Sequence, residues 1–199
     1  MHSFVELHLP NCNLLSLPLS FPYLNFASLQ VLDLSNNDFN STISHWLFNI
    51  TSLLCLDLSS NDLQGDIPDG FAGLNSLQEL DLSRNSFLGG RLSRNLGKLC
   101  NLRTMILSRN NISGEVSDFL DGLSECTNNF LLEKLELWFN QFTCILPISL
   151  GSFKNLRHLV LWQNSFLGSI PPLIGNLTLL KELYLASNQM NGQKISDNY

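Results

Sequence analysis

Three aspartates, Asp33, Asp57 and Asp81, stand in identical LDLS tetrapeptides that recur at a constant interval. If those tetrapeptides stack as neighbouring strands, their carboxylates fall about 5 Å apart, the separation found between the two carboxyl groups of a retaining glycosidase. That chemistry also requires one carboxyl group with a raised pKa inside a desolvated cleft. An open strand surface flanked by Ser35, Ser59 and Ser83 predicts no desolvation, so the sequence argues against a hydrolase and against an enzyme of any class. His8 precedes Asp33 by one repeat and His158 falls between Lys134 and Glu182. With no nucleophile or third ligand near either, both read as surface histidines. The five cysteines, Cys12, Cys55, Cys100, Cys126 and Cys144, show no CxxC or other metal-ligand spacing. Neither a metal nor a cofactor is expected.

The residues better suited to recognition are aromatic. Trp138 and Trp162 are separated by the same interval as the aspartates, Phe139 adjoins the first, and Tyr184 lies one repeat beyond the second. Large aromatic side chains left in water are the anchors of protein and peptide interfaces. With Glu136, His158, Val160 and Glu182 around them, they form the candidate ligand-binding surface; the alternative is that the aromatics merely stack on one another.

All of these residues are positioned by one periodic element. The pattern LxxLxLxxN, with substitutions, is read eight times, from Phe4, Leu29, Leu53, Leu77, Leu102, Leu132, Leu156 and Leu180. The two apolar residues that flank a single variable one, such as Leu32 and Leu34 around Asp33, alternate as a strand does. A three-residue strand with one buried face has no stability alone, so a fixed period predicts parallel strands stacked edge to edge. The asparagine that closes each motif, Asn37 to Asn188, can donate to and accept from the backbone of the turn. Cys12 replaces it in the first copy and reads as a small buried residue. A second signature, LxGxIP, follows as LQGDIP from Leu63 and FLGSIP from Phe166, with degraded forms ISGEVS and FTCILP. Apolar pairs such as Phe71 and Leu74, Leu150 and Phe153, and Ile174 and Leu177 then predict a short 3₁₀ or helical piece on the convex side.

Composition agrees with a repeat solenoid. Leucine, serine and asparagine supply 44, 24 and 23 of the 199 residues, and charged residues make up only 14%. A net charge of −6 excludes the basic stripe that nucleic acid requires. No run of eighteen apolar residues spans a bilayer, and the N-terminus lacks the pattern of a secretory signal.

The 24-residue repeat with LxGxIP resembles the plant-specific class of leucine-rich repeats, found in receptor-like kinases, receptor-like proteins and polygalacturonase inhibitors. GKLCNLRT, NNISGEVSDFLDGLSEC, LEKLELWFNQF and LWQNSFLGSIPPLIGNL resemble the ectodomains of plant receptor-like proteins of the elicitor-receptor, disease-resistance type. The resemblance implies a leucine-rich-repeat horseshoe over residues 1–199 with a parallel concave sheet, α/β in type. It implies a binding module in defence or developmental signalling, with a peptide or protein ligand and a co-receptor kinase, on the extracellular face of the plasma membrane. Contact with the membrane would come only through a segment that this sequence does not contain. The alternative is a secreted inhibitor of the polygalacturonase-binding kind. The paired-cysteine cap of the family is missing, so the chain reads as a partial ectodomain uncapped at both ends.

Two modifications are expected. Four N-x-S/T sequons begin at Asn40, Asn49, Asn111 and Asn176. The interval from Leu102 to Leu132 is longer than every other, so the extra residues, including DGLSECTNNF, should bulge from the convex or lateral side. Cys126 precedes its repeat by six positions and Cys100 precedes the earlier one by two. Both fall on the back of neighbouring repeats, which predicts a disulfide between them and leaves Cys55 and Cys144 free.

Overall fold

Within each repeat only three residues are extended, and their backbone groups find partners in the corresponding residues of the next repeat. The computed structural model describes residues 4–15, 26–126 and 131–191. Eight strands there form one parallel sheet: Glu6–His8, Val31–Asp33, Cys55–Asp57, Glu79–Asp81, Thr104–Ile106, Lys134–Glu136, His158–Val160 and Glu182–Tyr184. We number these rungs one to eight. Their order in the sheet is their order in the chain, and the register never slips: Leu7, Leu32, Leu56, Leu80, Met105, Leu135, Leu159 and Leu183 stand in one row. A slip of one residue would turn that row from core to solvent. This is the parallel concave sheet that the alternation predicts.

On the convex side lie five short 3₁₀ segments: His45–Asn49, Asp69–Gly73, Arg94–Lys98, Ile148–Ser152 and Pro172–Asn176. Residues three apart eclipse in a 3₁₀ turn, which is why apolar pairs at that spacing both face inward. Phe71 and Leu74 are fully buried, as are Leu150 and Phe153 to within 1%. Between rungs five and six the longer interval builds something else, an α-helix over Ser117–Ser124 that buries Phe119, Leu120 and Leu123. Gly97 and Gly122 let this helix lie directly on the Arg94–Lys98 turn, since a Cβ on Gly97 would sit 2.6 Å from the Cα of Gly122. Just past the helix, Cys126 is bonded to Cys100, with their Cα atoms 5.5 Å apart. The end of the expected bulge, Thr127 to Phe130, falls outside the described residues. The LxGxIP segments supply further strands, paired in three separate two-stranded parallel ladders, the first joining Gln64–Asp66 to Phe87–Gly89. Cys144 stands where the signature has glycine; it is free and buried.

The turn that leaves each concave strand is inside the protein; its serine carbonyl accepts a backbone N–H of the preceding rung, as Ser83 does from Ser60 at 2.8 Å, but the leucine carbonyl before it finds no backbone donor. The motif asparagines supply the donor. Asn85 is fully buried; its Nδ2 donates to the carbonyls of Leu82 and Ser83 in its own rung and Leu58 in the preceding one, at 3.0 to 3.2 Å. Its Oδ1 accepts the N–H of Leu63 at 3.0 Å. Asn37, Asn61, Asn110, Asn140, Asn164 and Asn188 repeat the arrangement from rung to rung. Cys12 departs from the expectation of burial. It is exposed, because rung two alone covers its turn, and its backbone N–H is taken up by Asn37 Oδ1 at 2.9 Å.

A carboxylate keeps the shape of an asparagine and removes its donors. Asn85→Asp should therefore destabilise the chain by about 3 kcal/mol or more, since it faces three buried carbonyls with a charge. Urea unfolding checks this. A loss below about 1 kcal/mol would show that the turn carbonyls find other partners.

Candidate functional site: the concave face and its rim

The outward positions of the rungs form columns that run the length of the sheet. The middle column reads His8, Asp33, Asp57, Asp81, Ile106, Glu136, Val160, Tyr184. Over rungs two to four the aspartates are committed to their own turns: Asp33, Asp57 and Asp81 each accept the N–H two residues on, from Ser35, Ser59 and Ser83, at 2.8 to 3.0 Å. Asp81 nevertheless corrects the expectation of an undesolvated row. Burial raises its pKa above the ordinary 3.8, the Ser83 hydrogen bonds oppose the rise, and neighbouring Asp57 and Glu136 add to it. On the same face the Cys55 thiol lies 3.7 Å from Glu79 Oε2. Burial first, and then the Glu79 carboxylate, push its pKa up to about 12, so it offers no thiolate nucleophile at neutral pH.

The aromatic residues lie where rungs six to eight turn off the sheet. Trp138 and Trp162 are half-buried and stacked, with ring centroids 5.0 Å apart and planes 11° from parallel. They cover much of each other, which is the stacking that the sequence leaves open as the alternative to rings standing free in water. Phe139 and Tyr184 are exposed at 48% and 53%. Val160 corrects the sequence reading: it is only 8% exposed. Its short side chain stands in register between the longer Glu136 and Tyr184, which cover it. The remaining candidates are paired on the face. His158 Nδ1 lies 3.1 Å from Glu182 Oε2, and Lys134 Nζ lies 2.9 Å from Glu136 Oε1. His8 stands 3.6 Å from Asp33 and 3.5 Å from Glu6, and is half exposed.

One position beyond the tryptophan column the backbone is left-handed in every rung from two to eight, at Asn36, Ser60, Arg84, Arg109, Phe139, Gln163 and Ser187, with φ between 52° and 58°. That conformation throws the side chain out at the rim of the sheet. Arg109 lies with its guanidinium 5.0 Å from the Trp138 ring centre and 5.5 Å from that of Phe139, in the range of cation–π attraction. Arg84, Arg109, Phe139 and Gln163 then line a lateral cleft of about 490 Å³ together with Ser86, Asn111 and Gln141. Among the described residues no group of three His, Cys, Asp or Glu could hold a metal ion.

Models of the leucine-rich repeat match residues 27–87 and again residues 76–99, 101–123 and 155–177. The chain belongs to the leucine-rich-repeat family. Among solved structures, the PEPR1–AtPEP1 complex is 34% identical over 82% of this chain, with a TM-score of 0.75. The Arabidopsis receptor kinase HAESA, solved with the peptide hormone IDA and the co-receptor SERK1, is 32% identical over 84% of it, with a TM-score of 0.76. The chain spans about a quarter of the length of these receptors, 22% and 27% respectively. Internalin C2 of Listeria monocytogenes, 24% identical, matches 98% of this chain and 76% of its own length with a TM-score of 0.73, a likeness of fold. No curated protein sequence matches significantly.

Sequence reasoning placed the aromatic residues of this leucine-rich-repeat chain but missed the arginines. The signal was present, because Arg84, Arg109 and Phe139 occupy the same repeat position, and aligning the copies by column would have brought them together. All four sequon asparagines, Asn40, Asn49, Asn111 and Asn176, are exposed. Asn111 alone among them lines the cleft, where its Oδ1 accepts from Gln141 Nε2.

Asp81 supplies a test by pH. Its folded pKa lies above the unfolded value, so ionisation opposes folding; the penalty is absent below the unfolded pKa and grows as pH rises through the folded one. Asp81→Asn keeps an acceptor for the Ser83 N–H. At pH 7 this variant should melt above the wild type, and the difference should shrink as pH falls toward 3.5. A constant difference across that range would mean that the carboxylate does not titrate against folding.

Proposed function

We propose that the chain is the ligand-perceiving part of a plant cell-surface receptor ectodomain, and that the concave face of rungs six to eight binds a peptide or protein segment. The observation that carries this reading is the aromatic group: Trp138 stacked on Trp162, with Phe139 and Tyr184 exposed beside them. The repeat requires no bulky residue at these positions, since rungs two to four fill the tryptophan column with Ser35, Ser59 and Ser83. Apolar surface kept in water without a structural demand marks an interaction site. Glu136, His158 and Glu182 supply a polar border, and Val160 forms part of the floor.

The likeness to PEPR1 and HAESA supports the reading, because the latter was solved with a peptide hormone and a co-receptor. By the same analogy the partners of this chain are a peptide ligand and a co-receptor kinase, in defence or developmental signalling at the extracellular face of the plasma membrane. No helix among the described residues is long and apolar enough to cross a membrane. Exposure of the sequons suits an N-glycosylated ectodomain at Asn40, Asn49 and Asn176, whereas Asn111 lines the lateral cleft and is left unmodified in this reading. The module has no catalytic role in this reading. The inhibitor alternative draws no support from these comparisons.

Binding and stability can be separated by substitution. Trp138→Ala should cost about 1 kcal/mol of stability through the lost stack, and about 2 kcal/mol or more of binding energy to a peptide or protein ligand. Trp162→Ala should behave alike. Calorimetric melts and titration against peptides that bind the wild type check both numbers. Melting temperatures that drop steeply while affinity stays unchanged would assign the tryptophans to packing and move the site elsewhere.

A further inference from the structure

We propose that the lateral cleft between Arg84 and Arg109 takes the carboxylate of an acidic side chain in the bound peptide, and so fixes the peptide's register on the concave face. This rests on the peptide-binding reading above and adds the chemistry of one ligand residue. Arg84 and Arg109 occupy the same left-handed position on adjacent rungs, so their Cα atoms stand about 5 Å apart. Both are exposed, and among the described residues neither makes an ion pair, whereas Arg94, Arg103 and Arg157 each do. No acidic residue lines the cleft. Two guanidinium groups without a counter-charge present a forked donor set that matches a carboxylate.

Four further features make this a site rather than two surface charges. Arg109 is held against the rings of Trp138 and Phe139, which limits its rotamers before any ligand arrives. Because Trp138 belongs to the aromatic group, the cleft is continuous with the proposed peptide surface. The rest of the lining is neutral, and it includes Ser86, Asn111, Gln141 and Gln163, donors able to complete a carboxylate's hydrogen bonds. Finally, the sheet toward rung one repels an anion. Asp33, Asp57, Glu79 and Asp81 face outward there, with His8, among the described residues, the one titratable nitrogen beside them. An acidic ligand residue displaced by one or two rungs in that direction would meet like charge, so the arginine pair sets register by attraction and the aspartate row by repulsion.

Random-sequence synthetic decapeptides on an array serve as the probe. The full chain is refolded from bacterial expression with Cys100 and Cys126 joined, because a glycan on Asn111 would fill the same cleft. Peptides retained by the wild type should share Asp or Glu at one position relative to their aromatic or apolar residues. Changing that residue to Asn or Gln should weaken binding about five- to tenfold, and raising the salt concentration should narrow the gap. On Arg84→Gln/Arg109→Gln the acidic preference should vanish while the aromatic or apolar preference stays. Arg84→Lys/Arg109→Lys, which keeps the charge and loses the fork, should restore part of it. Retained peptides with no acidic preference, or with the same preference on the glutamine variant, would overturn the cleft assignment and leave the peptide-binding reading standing. An array that retains nothing would overturn both.

Discussion

The structure depends on the pairing of buried turn carbonyls by one carboxamide per repeat. A solenoid of three-residue strands must turn into its own interior after each strand, and that turn cannot be solvated. The asparagine side chain reaches two carbonyls of its own turn and one of the rung before, and its oxygen takes an amide of a neighbouring copy. Each rung is thereby fastened to the next through a polar bond as well as through leucine packing. The directional bond sets the register and the leucines supply the bulk of the burial energy. Because both constraints repeat at the same residues, the outward columns are left free to vary.

That division explains which parts of the molecule were legible in the sequence. Strand, sheet topology and convex turns follow from residues whose roles repeat, so that Leu32, Leu56 and Leu80 report one environment three times over. The aspartate row was misread because an isolated LDLS looks open to solvent, whereas Asp81 is desolvated by burial between Asp57 and Ile106 of the flanking rungs, with the Asp57 and Glu136 charges raising its pKa further. Val160 was misplaced for the same reason. Its burial is a property of Glu136 and Tyr184, each a full repeat away along the chain. Lateral neighbours decide exposure on a parallel sheet, and a linear reading considers them last. The helix over Ser117–Ser124 was visible only as a surplus of residues, since its docking relies on the mutual approach of Gly97 and Gly122 from different repeats.

The site is a boundary. On one side of rung five the concave face carries carboxylates held by their own turns; on the other it carries stacked indoles and a phenyl ring. Arg109 lies at that junction, joined to the aromatic side by cation–π contact and opening on the lateral cleft. The convex helix and the Cys100–Cys126 bond brace the same stretch from behind. The place where the surface chemistry changes is thus also where a covalent bond joins neighbouring repeats.

The left-handed column has a consequence for how such a protein can change over generations. A non-glycine residue in that conformation costs about 1 kcal/mol or more, and glycine would remove most of the strain. No glycine stands in the column from rung two to rung eight. Every position of the column therefore holds a side chain against a standing conformational penalty, and each can be exchanged without disturbing a leucine or an asparagine of the core. Variation concentrated there would alter ligand preference at nearly constant foldability.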